Sequence, residues 1–331
     1  MFRLTLLAIA LAVASASSFT EDHSEQIAKW KEFKAKFKRN YSASEDTHRF
    51  GVFLENLKEA DKRQAEDRRH GGTSTHGVTR FSDMTRNEFR ALLGSSKSGK
   101  SAANKAPKPD TVMSVGLVDW TGKYTTDVKD QGQCGSCWAF SAVEQIESDA
   151  MRQLGVSYEL TEEQIVNCAG TGHGCGGGWT EQAYMYVKRE GGLETEANYP
   201  YVSGSRSGQG GSCNAKAAKE VITVTDFYQI DDGRNTEAAM ADYMESTGPL
   251  SVCVDADSWS SYTGGVMSRC GTSVDHCVQA VGVDRSASSP YWKVRNSWGP
   301  DWGEDGHILL AYGANTCEIA SDATYVDAAL S

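Results

Sequence analysis

Gln131-Gly-Gln-Cys134-Gly-Ser-Cys137-Trp138-Ala-Phe140-Ser141 turns a glycine-broken loop into an amphipathic run, with Trp138, Phe140, Val143, Ile146 and Ala150 at helical spacing as far as residue 154. The pattern predicts a helix that begins at Cys137. A thiol there faces unsatisfied backbone N–H groups and the positive end of the helix dipole, both of which favour the thiolate. A nucleophilic cysteine also needs an imidazole nearby. Three histidines follow residue 113: His173 in a glycine-rich loop, His276 at the head of an apolar strand, and His307 in a later strand. His276 is the base that context favours, because Val274-Asp-His-Cys-Val-Gln-Ala-Val-Gly-Val283 would hold its ring rigidly. In Val294-Arg-Asn-Ser-Trp-Gly299, Asn296 is placed to orient that ring and Trp298 to shield it from water.

Further helical patterns lie near 161–168 and 180–190, and short Val-rich runs at 250–254, 274–283, 291–295 and 307–311 read as strands. Upstream, Ile27, Trp30, Phe33 and Phe37, then Phe50, Phe53, Leu54 and Leu57, form two apolar helical stripes within 21–66. A strand-like piece at 78–81 and a helix over 85–92 follow. Residues 94–109, rich in Gly, Ser, Lys and Pro, read as an exposed linker. The class is α+β: a helical lobe packed on a sheet or barrel-like lobe, preceded by a helical segment.

Residues 1–16 run from Arg3 through an apolar stretch to Ala14-Ser-Ala16, the pattern of a secretory signal peptide. All nine cysteines lie after residue 133, and in an exported chain they point to disulfides with one sulfur left over. Residues 1–113 carry 20 basic against 14 acidic side chains, and residues 114–331 carry 13 against 30. So acidic a C-terminal part argues against nucleic acid or an anionic membrane as partner, and its natural basic partner is the chain's own N-terminal segment. Gly176-Gly-Gly178 is followed by no Lys-Ser or Lys-Thr, so it is a poor phosphate loop. No metal or cofactor is expected.

With these residues in place, the sequence resembles the papain-like cysteine peptidases, similar to the cathepsins, over nearly its full length. The Cys-Gly-Ser-Cys-Trp stretch carries the resemblance, with His276 and Asn296 well downstream. It extends to Glu45, Arg49, Phe53 and Asn56 of a pro-segment helix, where Ala60 and Gln64 replace the usual Ile and Asn. A second pro-segment motif, Gly77, Phe81 and Asp83, has Thr79 where Asn is usual. The resemblance implies a signal peptide (1–16), an inhibitory pro-segment (17–113) and a two-lobed peptidase domain (114–331) with its cleft between the lobes, beginning near Val118-Asp-Trp120. It implies a monomeric endopeptidase acting on proteins or peptides, resident in a lysosome or vacuole or outside the cell. Cys137 is its nucleophile, His276 its base and acid, Asn296 the orienting residue, and Gln131 an oxyanion donor beside the Cys137 backbone N–H. Bridges Cys134–Cys175, Cys168–Cys213 and Cys270–Cys317 follow from the same matching.

Cys253 and Cys277 then remain, on strands that wall the main specificity pocket; they form either a fourth bridge or two small buried thiols. By resemblance Gly178, Trp179 and Thr180 line that pocket, and Asp322 is its floor or else points to solvent. A carboxylate at the floor would admit Arg or Lys as well as apolar side chains at the second residue before the cut. Asn40-Tyr-Ser42 is the sole Asn-x-Ser/Thr sequon, so a glycan on Asn40 would be lost on maturation. The rival class is a catalytically dead binding or storage relative, against which Gln131, Cys137, His276 and Asn296 are all present.

Overall fold

The computed structural model describes residues 17–94, 103–107, 116–170, 174–205, 209–231 and 236–331. The signal-peptide stretch, His173 and the start of the expected mature chain near Ser114 lie outside them.

The N-terminal segment opens with α1 (His23–Lys36), capped by Asp22, whose carboxylate accepts from the Ser24 and Glu25 N–H groups. The longer α2 (Ala43–Arg69) follows, capped by Ser42. Their apolar stripes meet in a small core of Trp30, Phe33, Phe53 and Leu57. The strand expected at 78–81 is instead a two-residue β1 (Thr75–His76), and 78–81 turns toward the catalytic region. Thr85 and Glu88 close a capping box on the short α3 (Arg86–Arg90). The stretch read as a plain linker contains β2 (Asn104–Lys105), whose backbone pairs parallel with a strand of the main sheet.

In the remaining chain β3 (Leu117–Asp119) leads to α4 (Cys137–Leu154), α5 (Glu162–Cys168) and α6 (Thr180–Glu190). These helices enclose one core, with Trp138, Val143, Ile146, Ile165 and Val187 among its residues. Next come β4 (Ile222–Ile230), α7 (Thr236–Ser246), β5 (Leu250–Val254), β6 (Tyr262–Gly264), β7 (Val266–Met267), β8 (His276–Asp284), β9 (Tyr291–Arg295), β10 (His307–Ala311) and β11 (Ala323–Leu330). Among the described residues the main sheet runs β2-β4-β11-β5-β8-β9-β10-β7, with β3 also paired to β8. β8 is buried on both faces, which is why its sequence is largely apolar, broken by Gln279, and not an alternation. Trp259, Trp292, Trp298 and Trp302 fill the sheet-lobe core, and Phe81, Phe89 and Leu92 of the N-terminal segment complete it.

Disulfides join Cys134 to Cys175 and Cys168 to Cys213 in the helical lobe, and Cys270 to Cys317 in the sheet lobe. Cys253 and Cys277 form a fourth bridge, so the two-thiol alternative falls; they stand directly opposite each other in the β5–β8 register. Cys137 is the one free cysteine.

Candidate active site

Cys137 is the first residue of α4 and is fully buried. The Cys277 N–H donates to its sulfur at 3.4 Å, and the Gly94 N–H points at the same atom. Burial nevertheless pushes the thiol up to about 12, against the lowering that a helix terminus alone predicts. The difference arises because the N-terminal segment lies over the sulfur. Across from it, His276 begins β8; its Nε2 is 2.8 Å from Asn296 Oδ1, and its ring stacks on Trp298 at 4.8 Å. Trp259 meets the same ring edge-on at 6.1 Å. Nδ1 is buried without a hydrogen-bond partner. Burial lowers the imidazole to about 4, although the Asn296 bond opposes this. Thiol and imidazole are therefore both held neutral, because neither charged form is solvated.

Gln131, fully buried, donates from Nε2 to the Leu92 carbonyl at 2.9 Å and to the Cys134 carbonyl at 2.8 Å. Its Oε1 accepts from Ser297 Oγ at 2.7 Å. Thus the amide read as an oxyanion donor already holds a carbonyl oxygen of the N-terminal segment. Sequence reasoning missed Ser297, Trp259 and the Cys277 backbone N–H. Ser297 stands between Asn296 and Trp298, a neighbourhood that was a signal; the other two arrive only through the chain's path.

The Cys253–Cys277 bridge packs against Trp179 and Val274 in an apolar cluster beside this centre. Gly178 donates its N–H to the Gly94 carbonyl at 2.7 Å, a backbone hydrogen bond that ties the N-terminal segment to this loop. Both glycines are required by the closeness of approach. A Cβ on Gly94 would lie 1.8 Å from the Gly135 carbonyl oxygen, and one on Gly178 would lie 2.4 Å from the Trp138 ring. Thr180 is buried at the start of α6, its hydroxyl 3.4 Å from Glu181 Oε2. Asp322 is buried and does not face solvent: its carbonyl accepts from the Cys253 N–H at 3.2 Å, and Oδ1 accepts from Gln229 Nε2 at 3.0 Å.

Phe81 and Phe89 clamp the other face of this region, edge-on to Trp298 at 5.0 and 5.4 Å. Arg80 pairs with Asp130 at 2.5 Å, and Arg86 and Arg90 both hold Asp257. Burial alone would raise the Asp257 carboxyl, but the two guanidiniums outweigh it and hold it at about 2. Within the segment Arg49 bridges Glu45 and Glu88, Asn56 donates to the Ser82 and Met84 carbonyls, and Asp83 accepts from Tyr41 and pairs with Arg39. Ala60 and Gln64 are buried where the pro-segment pattern has larger or differently shaped residues.

Residues 116–327 match the papain family cysteine proteases, and residues 30–89 match the cathepsin propeptide inhibitor domain. Digestive cysteine proteinase 1 of Homarus americanus is 38% identical over 333 residues, covering 97% of this chain and 98% of its own. Cathepsin L2 of Homo sapiens is 34% identical, with 97% and 98% covered. The solved digestive procathepsin L2 proteinase from Tenebrio molitor larval midgut superposes with a TM-score of 0.82 at 31% identity, covering 91% of this chain and 99% of that one. A cleft with a buried thiol, an asparagine-held imidazole and an inhibitor-like segment across it has the same fold as these precursors, and the chain belongs to the papain family of cysteine proteases, as an endopeptidase preceded by its propeptide domain.

Proposed function

We propose that residues 17–113 are removed to give an endopeptidase in which Cys137 and His276 act as a thiolate–imidazolium pair. The observation that carries this is the convergence of the Cys137 sulfur, the Cys277 N–H and the Asn296-held imidazole of His276, all buried, with Gly94 of the N-terminal segment against the sulfur. Once the segment leaves, water enters and the burial that keeps both groups neutral is lost. The proton of Cys137 passes to Nδ1 of His276, and the thiolate attacks the scissile carbonyl. Gln131 Nε2, freed from Leu92, and the Cys137 backbone N–H receive the developing oxyanion. The imidazolium protonates the leaving amine, then deprotonates water for deacylation, while Asn296 holds the ring and Trp298 shields their contact. No cofactor takes part.

The Cys253–Cys277 bridge, Trp179 and Gly178 form the wall for the second residue before the cut, and Asp322 lies beneath it. The buried carboxylate supports acceptance of Arg or Lys there beside apolar side chains. The relatives' names, a digestive proteinase and a cathepsin, fit a secretory-pathway enzyme of a vacuole, lysosome or extracellular fluid. Asn40 is exposed in the turn between α1 and α2, open to a glycan that maturation would discard.

The test is hydrolysis of Phe-Arg and Arg-Arg dipeptidyl amides by the acidified, reductant-treated precursor, beside Cys137→Ala. Cleavage by the parent alone is expected. Asp322→Ala should lower the Arg-Arg to Phe-Arg ratio by about 10-fold, the loss of roughly one charge-assisted hydrogen bond. Silence of the fully processed parent on both amides would refute the peptidase assignment.

A further inference from the structure

The charge distribution suggests that acid frees the N-terminal segment by protonating carboxylates in its ion pairs. Two of these carboxylates resist this. Asp257 is held at about 2 by Arg86 and Arg90, against the effect of its burial, and Glu88 at about 2 chiefly by Arg49. Both stay ionised throughout mild acid. A different group at the same interface is poised to respond there.

His76 lies on β1, whose register places it against Tyr262 of β6 in the catalytic region. It is 4% exposed and borders a cleft of about 210 Å³ that is shared between the two parts of the chain. Its Nδ1 is 3.0 Å from Ser261 Oγ, and its Nε2 is 3.2 Å from Ser74 Oγ. Arg63 Nη1 donates to Ser261 Oγ at 3.2 Å, and Ser74 Oγ donates to Asp67 Oδ2 at 2.7 Å. Because Asp67 takes the Ser74 hydroxyl proton, Ser74 can only accept from His76, which puts the ring proton on Nε2. Nδ1 then accepts from the Ser261 hydroxyl, and Ser261 accepts from Arg63. Donation thus runs one way, from Arg63 through Ser261, His76 and Ser74 to Asp67, crossing twice between the two parts. A second ring proton at Nδ1 would turn the Ser261 hydroxyl proton away from its acceptor, reversing that link of the chain, and add a cation beside Arg63.

We propose that His76 is the acid trigger of this precursor: protonation of its imidazole breaks the one-way chain and releases the N-terminal segment from the catalytic domain. The inference rests on the reading of that segment as inhibitory.

The charged groups around the cleft are Arg63, Glu59, Glu66 and Asp67 on α2, Arg86 on α3, Asp257 before the turn carrying Ser258 and Ser261, and Arg269 beyond β7. Tyr262 meets the imidazole edge-on. Asp67 favours the imidazolium, but its oxygens are already taken by Ser74 and by Ser268 N–H and Oγ. Burial first, then Arg63, lower His76 from the ordinary 6.5 to about 4. Docking is therefore unaffected above 6.5, weakens as pH falls below it, and loses this contribution fully only below 4. Between pH 7.5 and pH 5 the expected weakening is about 30-fold. His23, His48 and His70 of the same segment are exposed and face no such network.

The test uses the full-length precursor carrying Cys137→Ala, which cannot process itself, with and without His76→Gln. Both are digested by the same added mature enzyme from pH 7.5 to 4.5, so the protease's own pH profile cancels in the ratio of rates. The parent-to-H76Q ratio should rise about 30-fold between pH 7.5 and 5, and Asp257→Asn should speed cleavage at every pH without steepening that rise. A ratio flat with pH overturns the proposal, whereas no cleavage of either precursor at any pH would count against the peptidase reading instead. If H76Q is already undocked at pH 7.5, the imidazole of the C137A precursor is titrated by NMR. A His76 midpoint more than one unit below 6.5 supports the trigger, and one at or above 6.5 refutes it.

Discussion

Cys137 should be almost inert in the intact precursor. Its thiol is pushed from the reference value of 9.0 up to about 12 by burial, with Gly94 of the N-terminal segment against the sulfur. At pH 7.5 the thiolate fraction then falls from about 3% to about 0.003%, a loss of roughly 10³, and only the thiolate is alkylated. The other eight cysteines are bridged, so one thiol per chain reports without interference. The assay is the rate of iodoacetamide uptake by mass spectrometry on non-reduced full-length chain, beside the same chain after removal of its N-terminal segment. The precursor should react at least 10³ more slowly than an ordinary thiol, with a rate still rising tenfold per pH unit at pH 9. Full-speed alkylation while the segment remains attached and docked would refute the argument that desolvation silences the nucleophile.

Three further outcomes are expected. Phe89→Ala removes a buried ring between Phe81 and Trp298 and should cost about 3 kcal/mol, lowering the melting temperature of the precursor but not that of the processed domain. Lys129→Met leaves the buried Glu147 and Glu162 carboxylates, at 2.7 and 2.6 Å from its Nζ, without their cation. The loss should be about 3–5 kcal/mol by denaturant unfolding of precursor and processed domain alike. Intact-mass analysis before and after full reduction should show eight oxidised sulfurs; six would mean that Cys253 and Cys277 are not bridged.

Cys137 to Leu154 was legible in the sequence because a glycine-rich loop gives way to a clear 3.6-residue period, β5 and β10 because each is a compact Val-, Leu- or Ile-rich run, and β9 because aromatic Tyr291 and Trp292 join Val294 in a short stretch. β4 was not, since a bulge opposite Asp327–Ala328 shifts its pairing and breaks the alternation of Ile222, Val224 and Phe227. β11 is central and covered on both faces for most of its length, and its small and mixed residues carry no period. α7 likewise has only a weak apolar stripe. β2 is legible from no local pattern: Asn104 and Lys105 are exposed and are strand only because the β4 edge offers them hydrogen bonds. At the site, residue types and order indicated Cys137, His276 and Asn296. The suppressed thiol was hidden, because it depends on a chain crossing more than forty residues away in sequence.

The four disulfides all lie between residues 134 and 317, and none reaches the N-terminal segment. That segment is held by aromatic rings, guanidiniums and a short run of paired backbone, all of them reversible contacts. Its removal, as proposed, would call for hydrolysis of peptide bonds and no reductive step. The proposed maturation would leave all four bridges intact, keeping the molecule's seams while it sheds its cover.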